Sequence, residues 1–323
     1  MTLRVRPICL VFMALSPFLC ACHPAHRRTI AVVPVTTGLE LWEAAHAGAE
    51  AAAADKGYRI YWNAPTRSDD VSAQIRLVEK VIADGDAGLI LAPDQYLALL
   101  APVRHAIEKN IPVIIIKSPI LEPGEMNFPS ILNDEEQGGH LAATRIGEAL
   151  HGSGSVAIIG FDPNILGVEL RARAFEAVMT REDPHVTLYE ERSESLDSNQ
   201  MRQYVTDVLT SRPDVRALFA LDTNTTEAAV AAVRSLPSRR HIVIVGCDQE
   251  LGLMADLRNG ELDSVIAEDT NRMGREAVEA IANHLPTKGP PMQVLVPPVL
   301  VTRQNIDSLD VQRILSTTWR RPG

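Results

Sequence analysis

Cysteine, aromatic residues and positive charge are all scarce in this chain. Only four cysteines (Cys9, Cys20, Cys22 and Cys247) occur in 323 residues, too few for a disulfide scaffold. Aromatic residues make up 4%, with three tryptophans, so few rings are available to stack on a ligand. Lys and Arg number 31 against 41 Asp and Glu, a formal net charge of −10, whereas a nucleic-acid binder needs a basic face. The sequence has no Walker phosphate loop, zinc-protease helix or nucleophile elbow. Gly152-Ser153-Gly154-Ser155 precedes a strand instead of following one, so it reads as a helix-to-strand turn and not as a dinucleotide fingerprint. What remains is 46% hydrophobic and 22% charged, too apolar for disorder and long enough for two domains of ordinary size.

Arg4 and Arg6 precede an apolar stretch from Ile8 to Leu19 that is broken by Ser16 and Pro17. A bilayer-spanning helix needs about 20 apolar residues, so this shorter run fits a signal-peptide core. It ends Leu19-Cys20-Ala21-Cys22, which resembles the processing site of bacterial lipoproteins. The resemblance implies that residues 1–21 are removed, that the Cys22 thiol is acylated, and that residues 22–28 tether an exported protein to a membrane surface. Loss of Arg4 and Arg6 makes the remainder more acidic by two charges.

From Thr29 the chain alternates between two patterns. Thr29–Val35 is a continuous apolar run rich in β-branched residues, the signature of a strand buried on both faces. Leu41–Lys56 is Ala-rich and stopped by Gly57, and Val71–Asp84 is stopped by Gly85, as helices are. Tyr58–Trp62, Ala87–Ala92 and Pro112–Ile116 read as further strands, with a helix from about Leu97 to Lys109. Helices are expected near 135–150, 167–180, 199–211, 225–236, 250–259 and 271–285, and strands near 156–160, 186–190, 217–221, 242–247 and 263–267. This alternation predicts parallel sheets flanked by helices, and the length favours two sheets of five or six strands. The segments LILAPD…IPVIIIKS (89–118) and ALFALD…HIVIVGCD (217–248) echo each other, which points to two similar lobes. Ligands of open parallel sheets collect beyond the carboxyl ends of the strands, so two lobes facing each other by those ends make a cleft.

In order and spacing, the pieces TIAVVPVTTGLELWEAAHAGAEAAAADKGY (29–58), IPVIII (111–116), NDEEQGG (133–139), ELRARAFEAV (169–178), RPDVRALFALD (212–222), IVIVGCD (242–248) and GELDSVIAED (260–269) resemble type I periplasmic binding proteins of the ribose/galactose-binding class. That class shares its fold with the effector domain of lac-repressor-type regulators. The resemblance covers about residues 29–306. It implies an α/β fold of two Rossmann-like lobes with parallel sheets, joined by three crossing segments. The first lobe would hold 29–132 plus 269–297 and the second 133–268 plus 298–307, leaving 308–323 as a C-terminal tail that is either a short packed helix or frayed. Regulators of this fold begin with a DNA-binding helix-turn-helix. Here an export signal stands in that place, so no nucleic-acid partner is expected.

The resemblance also implies a ligand site. Trp42 falls where the family has aromatics at the start of the first helix and is expected to touch the ligand, the alternative being that it packs in the core of the first lobe. Arg171 has the family's spacing before Phe175, with Arg173 as the competing choice. Asp222, Asp248 and Glu268 end strands where the family has polar ligand groups, and the first two could instead be helix N-caps. Asn133 marks the first crossing. The first lobe departs from the pattern: Lys117 and Ser118 stand where many sugar binders have Asp followed by Arg or Ser. Asp94 is a partial substitute for that carboxylate, or an N-cap. The departure suggests a changed ligand, such as a polyhydroxy compound carrying an amine. Asp222 and Asp248 could be read as a hydrolase's carboxylate pair, but no second chemical feature supports an enzyme. The expectation is a monomeric solute-binding lipoprotein without cofactor or metal, serving an ABC-type permease. The alternative is a sensor presenting its closed lobes to a histidine kinase or chemoreceptor.

Overall fold

In a computed structural model the protein is described over residues 28–120, 128–192, 197–236, 240–284 and 291–317. The expectations for residues 1–21, Cys22 and the last residues of the tail lie outside them. The first half runs β1 (Thr29–Val33), α1 (Glu40–Lys56), β2 (Arg59–Trp62), α2 (Val71–Asp84), β3 (Gly88–Leu91), α3 (Tyr96–Glu108), β4 (Val113–Lys117) and β5 (Ser130–Asn133). The chain continues through α4 (Glu135–Leu150), β6 (Gly154–Phe161), α5 (Leu166–Glu182), β7 (Val186–Arg192), α6 (Ser198–Ser211), β8 (Val215–Ala220), α7 (Thr223–Ser235), β9 (Val243–Cys247), α8 (Leu251–Asn259) and β10 (Ser264–Ala267). It ends with α9 (Thr270–Ala282), β11 (Gln293–Val296), β12 (Val299–Thr302) and α10 (Leu309–Ile314).

The strands form two sheets of six, ordered β11-β5-β4-β3-β1-β2 and β12-β10-β9-β8-β6-β7. Every pairing is parallel except β10 with β12. Three features set this topology. Strands β3 and β9 are apolar and buried along their whole length, and β1 is so from Ile30 on, so they accept helices on both faces. Helix stops are sharp: Gly57, Gly85 and Gly260 end α1, α2 and α8 in the left-handed conformation, which L-residues with a Cβ enter at a cost of about 1–2 kcal/mol. The chain also crosses between the sheets three times: at Asp134 after β5, at Glu268–Asp269 after β10, and at Pro297–Pro298 between β11 and β12.

Three short strands were not anticipated: β5, β11 and β12. Each spans four residues, too short to show periodicity. The strands β5, β11 and β12 lie at or beside the crossings, where pairing is decided by chain return and not by local sequence. The tail is a packed helix at its start, since Val311 and Ile314 of α10 join the apolar core of the second lobe.

Helices α1 and α9, far apart in sequence, pack on one face of the first sheet through glycines. A Cβ on Gly48 would collide with the backbone of Asn271 in α9, and one on Gly274 with the backbone of Ala45 in α1. Because backbone and not a flexible side chain stands in the way, the contact cannot relax locally. Gly48→Val is therefore expected to cost about 3 kcal/mol or more, at or above the upper end of ordinary overpacking. Urea denaturation checks this, and a stability equal to wild type would refute the close approach.

Candidate functional site: an interlobe charge cluster

The carboxyl ends of both sheets meet at the crossings, and there the charged residues converge. Glu268 follows β10 and has no solvent exposure. Its Oε1 accepts hydrogen bonds from Arg171 Nη2 at 2.6 Å and Asn133 Nδ2 at 3.2 Å, and its Oε2 accepts one from Lys117 Nζ at 2.7 Å. Its backbone is clamped by the Gln249 side chain, which donates to Glu268 O at 2.7 Å and accepts from Glu268 N at 3.0 Å. One carboxylate thus ties Lys117 of β4 in the first sheet to Arg171 of α5 in the second lobe.

Arg171 is 1% exposed and spends its guanidinium on three partners. Nε donates to Glu135 Oε2 at 2.6 Å, Nη1 to Leu221 O at 3.0 Å and Nη2 to Glu268. A buried guanidinium is tolerated when paired and bonded in this way. Lys117 completes the cluster by donating also to Asp248 Oδ1 at 3.1 Å, while Thr223 Oγ1 donates to Asp248 Oδ2 at 3.3 Å. Lys117 and Asp248 both adopt φ = 65°, a left-handed backbone uncommon for such residues and a frequent companion of functional sites.

The titration behaviour follows from this pairing. Burial opposes ionisation of Asp248, but Lys117 and Arg171 outweigh it and hold its carboxyl below the usual range. Burial likewise opposes the Lys117 charge, and Asp248 and Glu268 reverse the effect, so the ammonium stays charged beyond its ordinary pKa. Glu268 is pushed up to about 7, because burial and neighbouring carboxylates outweigh Lys117 and Arg171.

The remaining expected residues sit around or away from this cluster. Ser118 lies beside it, its Oγ accepting the Gly167 N–H of α5 at 3.0 Å. Asp222 caps α7 by accepting the Thr225 N–H at 2.7 Å, and burial raises its pKa. Asp94 follows β3 and is 6% exposed. It does not cap α3, whose N-cap is Gln95. Its backbone N–H donates to Gln74 Oε1 at 3.0 Å, and Gln74 also ties Pro34 O and Ala92 O at the ends of the first sheet. Trp42 requires correction: it is 2% exposed and packs in the core of the first lobe among Leu41, Ala45, Met273 and Val278. Arg173 faces solvent and pairs with Glu176 and Glu190. The reading of spare carboxylates awaiting a ligand amine is also revised, since Lys117 and Arg171 already answer Asp248 and Glu268. Glu135, Gln249 and Thr223 were missed. Glu135 is an acidic residue in the first turn of α4, an ordinary place for one, and in the sequence only its position at the first crossing, beside Asn133, sets it apart.

A two-lobed α/β architecture with a charged centre at the facing strand ends places polar groups where ligands of open parallel sheets collect. The chain belongs to the periplasmic binding protein domain family, whose model matches residues 30–289. It is similar to the D-apiose import binding protein of Paraburkholderia graminis, at 24% identity over 75% of this chain and 78% of that protein. It is also similar to the ribose import binding protein of Bacillus subtilis, at 24% identity over 66% of this chain and 67% of that one. Among solved structures, an ABC transporter solute-binding protein from Agrobacterium vitis bound to α-D-tagatopyranose superposes with a TM-score of 0.83. That match has 23% identity and covers 89% of this chain and 99% of the other.

Two predictions follow from the electrostatics. Removing Arg171 leaves Glu135 buried without its cation and Glu268 with Lys117 as its cation, so Arg171→Ala is expected to lower stability by about 3–5 kcal/mol. A loss under about 1 kcal/mol in urea denaturation would contradict the pairing. The substitution is thus not a clean probe of ligand contact. Asp94 has its carboxyl pushed up to about 7, first by burial and then by Asp162 and Asp69. The unfolded chain releases that proton near pH 3.9, so the folded state binds more protons and its stability falls as pH rises from about 4 to 7. Asp94→Asn should raise stability at pH 8 by on the order of 1–3 kcal/mol and leave it unchanged below pH 4. Thermal unfolding at both pH values checks the sign.

Proposed function

We propose that this chain is an exported, lipid-anchored solute-binding protein that captures a neutral sugar or similar polyol between its lobes and delivers it to an ABC-type permease. The observation that carries the reading is the cluster itself. Lys117 comes from one sheet, while Arg171, Asp248 and Glu268 come from the other lobe and its crossing, all at the carboxyl ends of the strands. A hydroxyl group both donates and accepts, so a polyol entering here can donate to Asp248 and accept from Lys117 with charge-assisted bonds. An amine offers Lys117 no acceptor, and a plain anion offers Asp248 no donor. The relatives bear names of D-apiose and ribose import, which supports the sugar class and the permease partner. Delivery needs a closed state favoured by ligand, since a ligand shifts an equilibrium only by its differential affinity for the two states. Cys22 supplies the membrane anchor in this reading, and the ligand site, not an enzymatic centre, is the working part.

A thermal-shift panel of neutral pentoses, hexoses and polyols, with amino sugars and sugar acids beside them, tests the proposal. A true ligand at 100 times its dissociation constant adds about 2.7 kcal/mol. A clear shift with one or a few neutral sugars is expected. A folded protein that ignores the whole neutral panel would overturn the sugar reading.

A further inference from the structure

Helices usually satisfy their first N–H groups from their own N-cap side chain. Helices α1 and α5 do not: their N-cap residues are Leu39 and Ile165, and neither offers a side-chain acceptor. In both cases the acceptor arrives from the other lobe. Glu250, just before α8 in the second lobe, accepts the Glu40 N–H of α1 through Oε1 at 2.8 Å. Ser118, just after β4 in the first lobe, accepts the Gly167 N–H of α5 at 3.0 Å. Each lobe caps a helix of its partner.

The charge cluster has the same reciprocal form. Strands β4 and β9 occupy the same place in their sheets, third in order from the β11 and β12 edges. Lys117 ends β4 and Asp248 follows β9, both at φ = 65°. They are equivalent residues of two similar lobes, and they are bonded to each other at 3.1 Å. Two carboxylates at these places would repel and would need a ligand that donates to both. With lysine at one of them, the chain supplies the donor itself, and the same ammonium reaches Glu268 at 2.7 Å.

We propose that Lys117 is a tethered occupant of the interlobe site, closing the lobes on each other without a ligand and thereby selecting which ligands enter. The inference rests on the interlobe reading of the site given above. To enter, a ligand must replace both ends of the Lys117–Asp248 bond, giving a donor to Asp248 and an acceptor to Lys117. Lys117 is therefore the residue that sets specificity against cationic ligands, because it already holds the position an ammonium group would take.

Amide hydrogen exchange on the unliganded protein tests this without any sugar, so its outcome is independent of the thermal-shift panel. Peptides carrying the Glu40 and Gly167 amides report the cross-lobe caps, and a peptide covering β1 reports the core. In wild type the cap amides are expected to be protected. In Lys117→Met they should exchange about tenfold faster or more, tenfold corresponding to roughly 1.4 kcal/mol of lost closure, while β1 stays protected and Lys117→Arg behaves as wild type. Equal exchange of the cap amides in wild type and Lys117→Met would overturn the proposal. Should Lys117→Met also expose β1, Asp248→Asn decides by the same readout: faster cap exchange with β1 intact supports the inference, and unchanged cap exchange overturns it.

Discussion

A carboxylate with no access to water has to be answered by cations and donors inside the protein, and Glu268 is that carboxylate here. It sits where the chain leaves the second sheet for the first, so whatever answers it also joins the lobes. Arg171 answers from α5, Lys117 from β4, Asn133 from β5, and Gln249 holds its peptide in place. Even after relaxation, burying such ions costs about several kcal/mol each, recovered only with good pairing. Lys117, Arg171 and Asp248 are paired in this way, while Glu268 has partners on both oxygens and is still pushed up by burial.

The surrounding architecture serves this point. Parallel pairing places the carboxyl ends of the strands of each sheet on one side, β12 excepted. Three crossings turn those ends toward each other. The glycine contact between α1 and α9 brings the element after Glu268 back onto the first lobe, so the crossing cannot drift relative to the first sheet. The left-handed turns at Lys117 and Asp248 then aim two side chains of opposite charge along the same line. Asp94 is an acidic group whose burial is answered by no cation and is worsened by Asp162 and Asp69, the kind of stability cost that binding sites carry.

Much of this was legible from residues. Long apolar strands and glycine-stopped helices announced themselves through composition and period, and the echo between 89–118 and 217–248 gave the two lobes. Arg171, Asp248 and Glu268 were found through family resemblance. What stayed hidden depended on distant partners. The strand Ser130–Asn133 is four residues long and exists because β4 and β11 flank it. Glu135 and Gln249 acquire their roles from Arg171 and Glu268, 36 and 19 positions away. Trp42 was readable in principle: with Ala45, Ala49 and Ala52 it forms an apolar stripe at helical spacing, the mark of a core face. The Lys117–Ser118 departure was visible, but its consequence was not, because nothing local says that the ammonium crosses to Asp248.

The central claim is that Lys117 and Asp248 are energetically coupled across the lobes. A double-mutant cycle measures this directly, using urea denaturation of wild type, Lys117→Met, Asp248→Asn and the double variant. The account predicts a coupling of about 1 kcal/mol or more, within the range for residues in one ion-pair network. Strict additivity, with a coupling below about 0.3 kcal/mol, would contradict it.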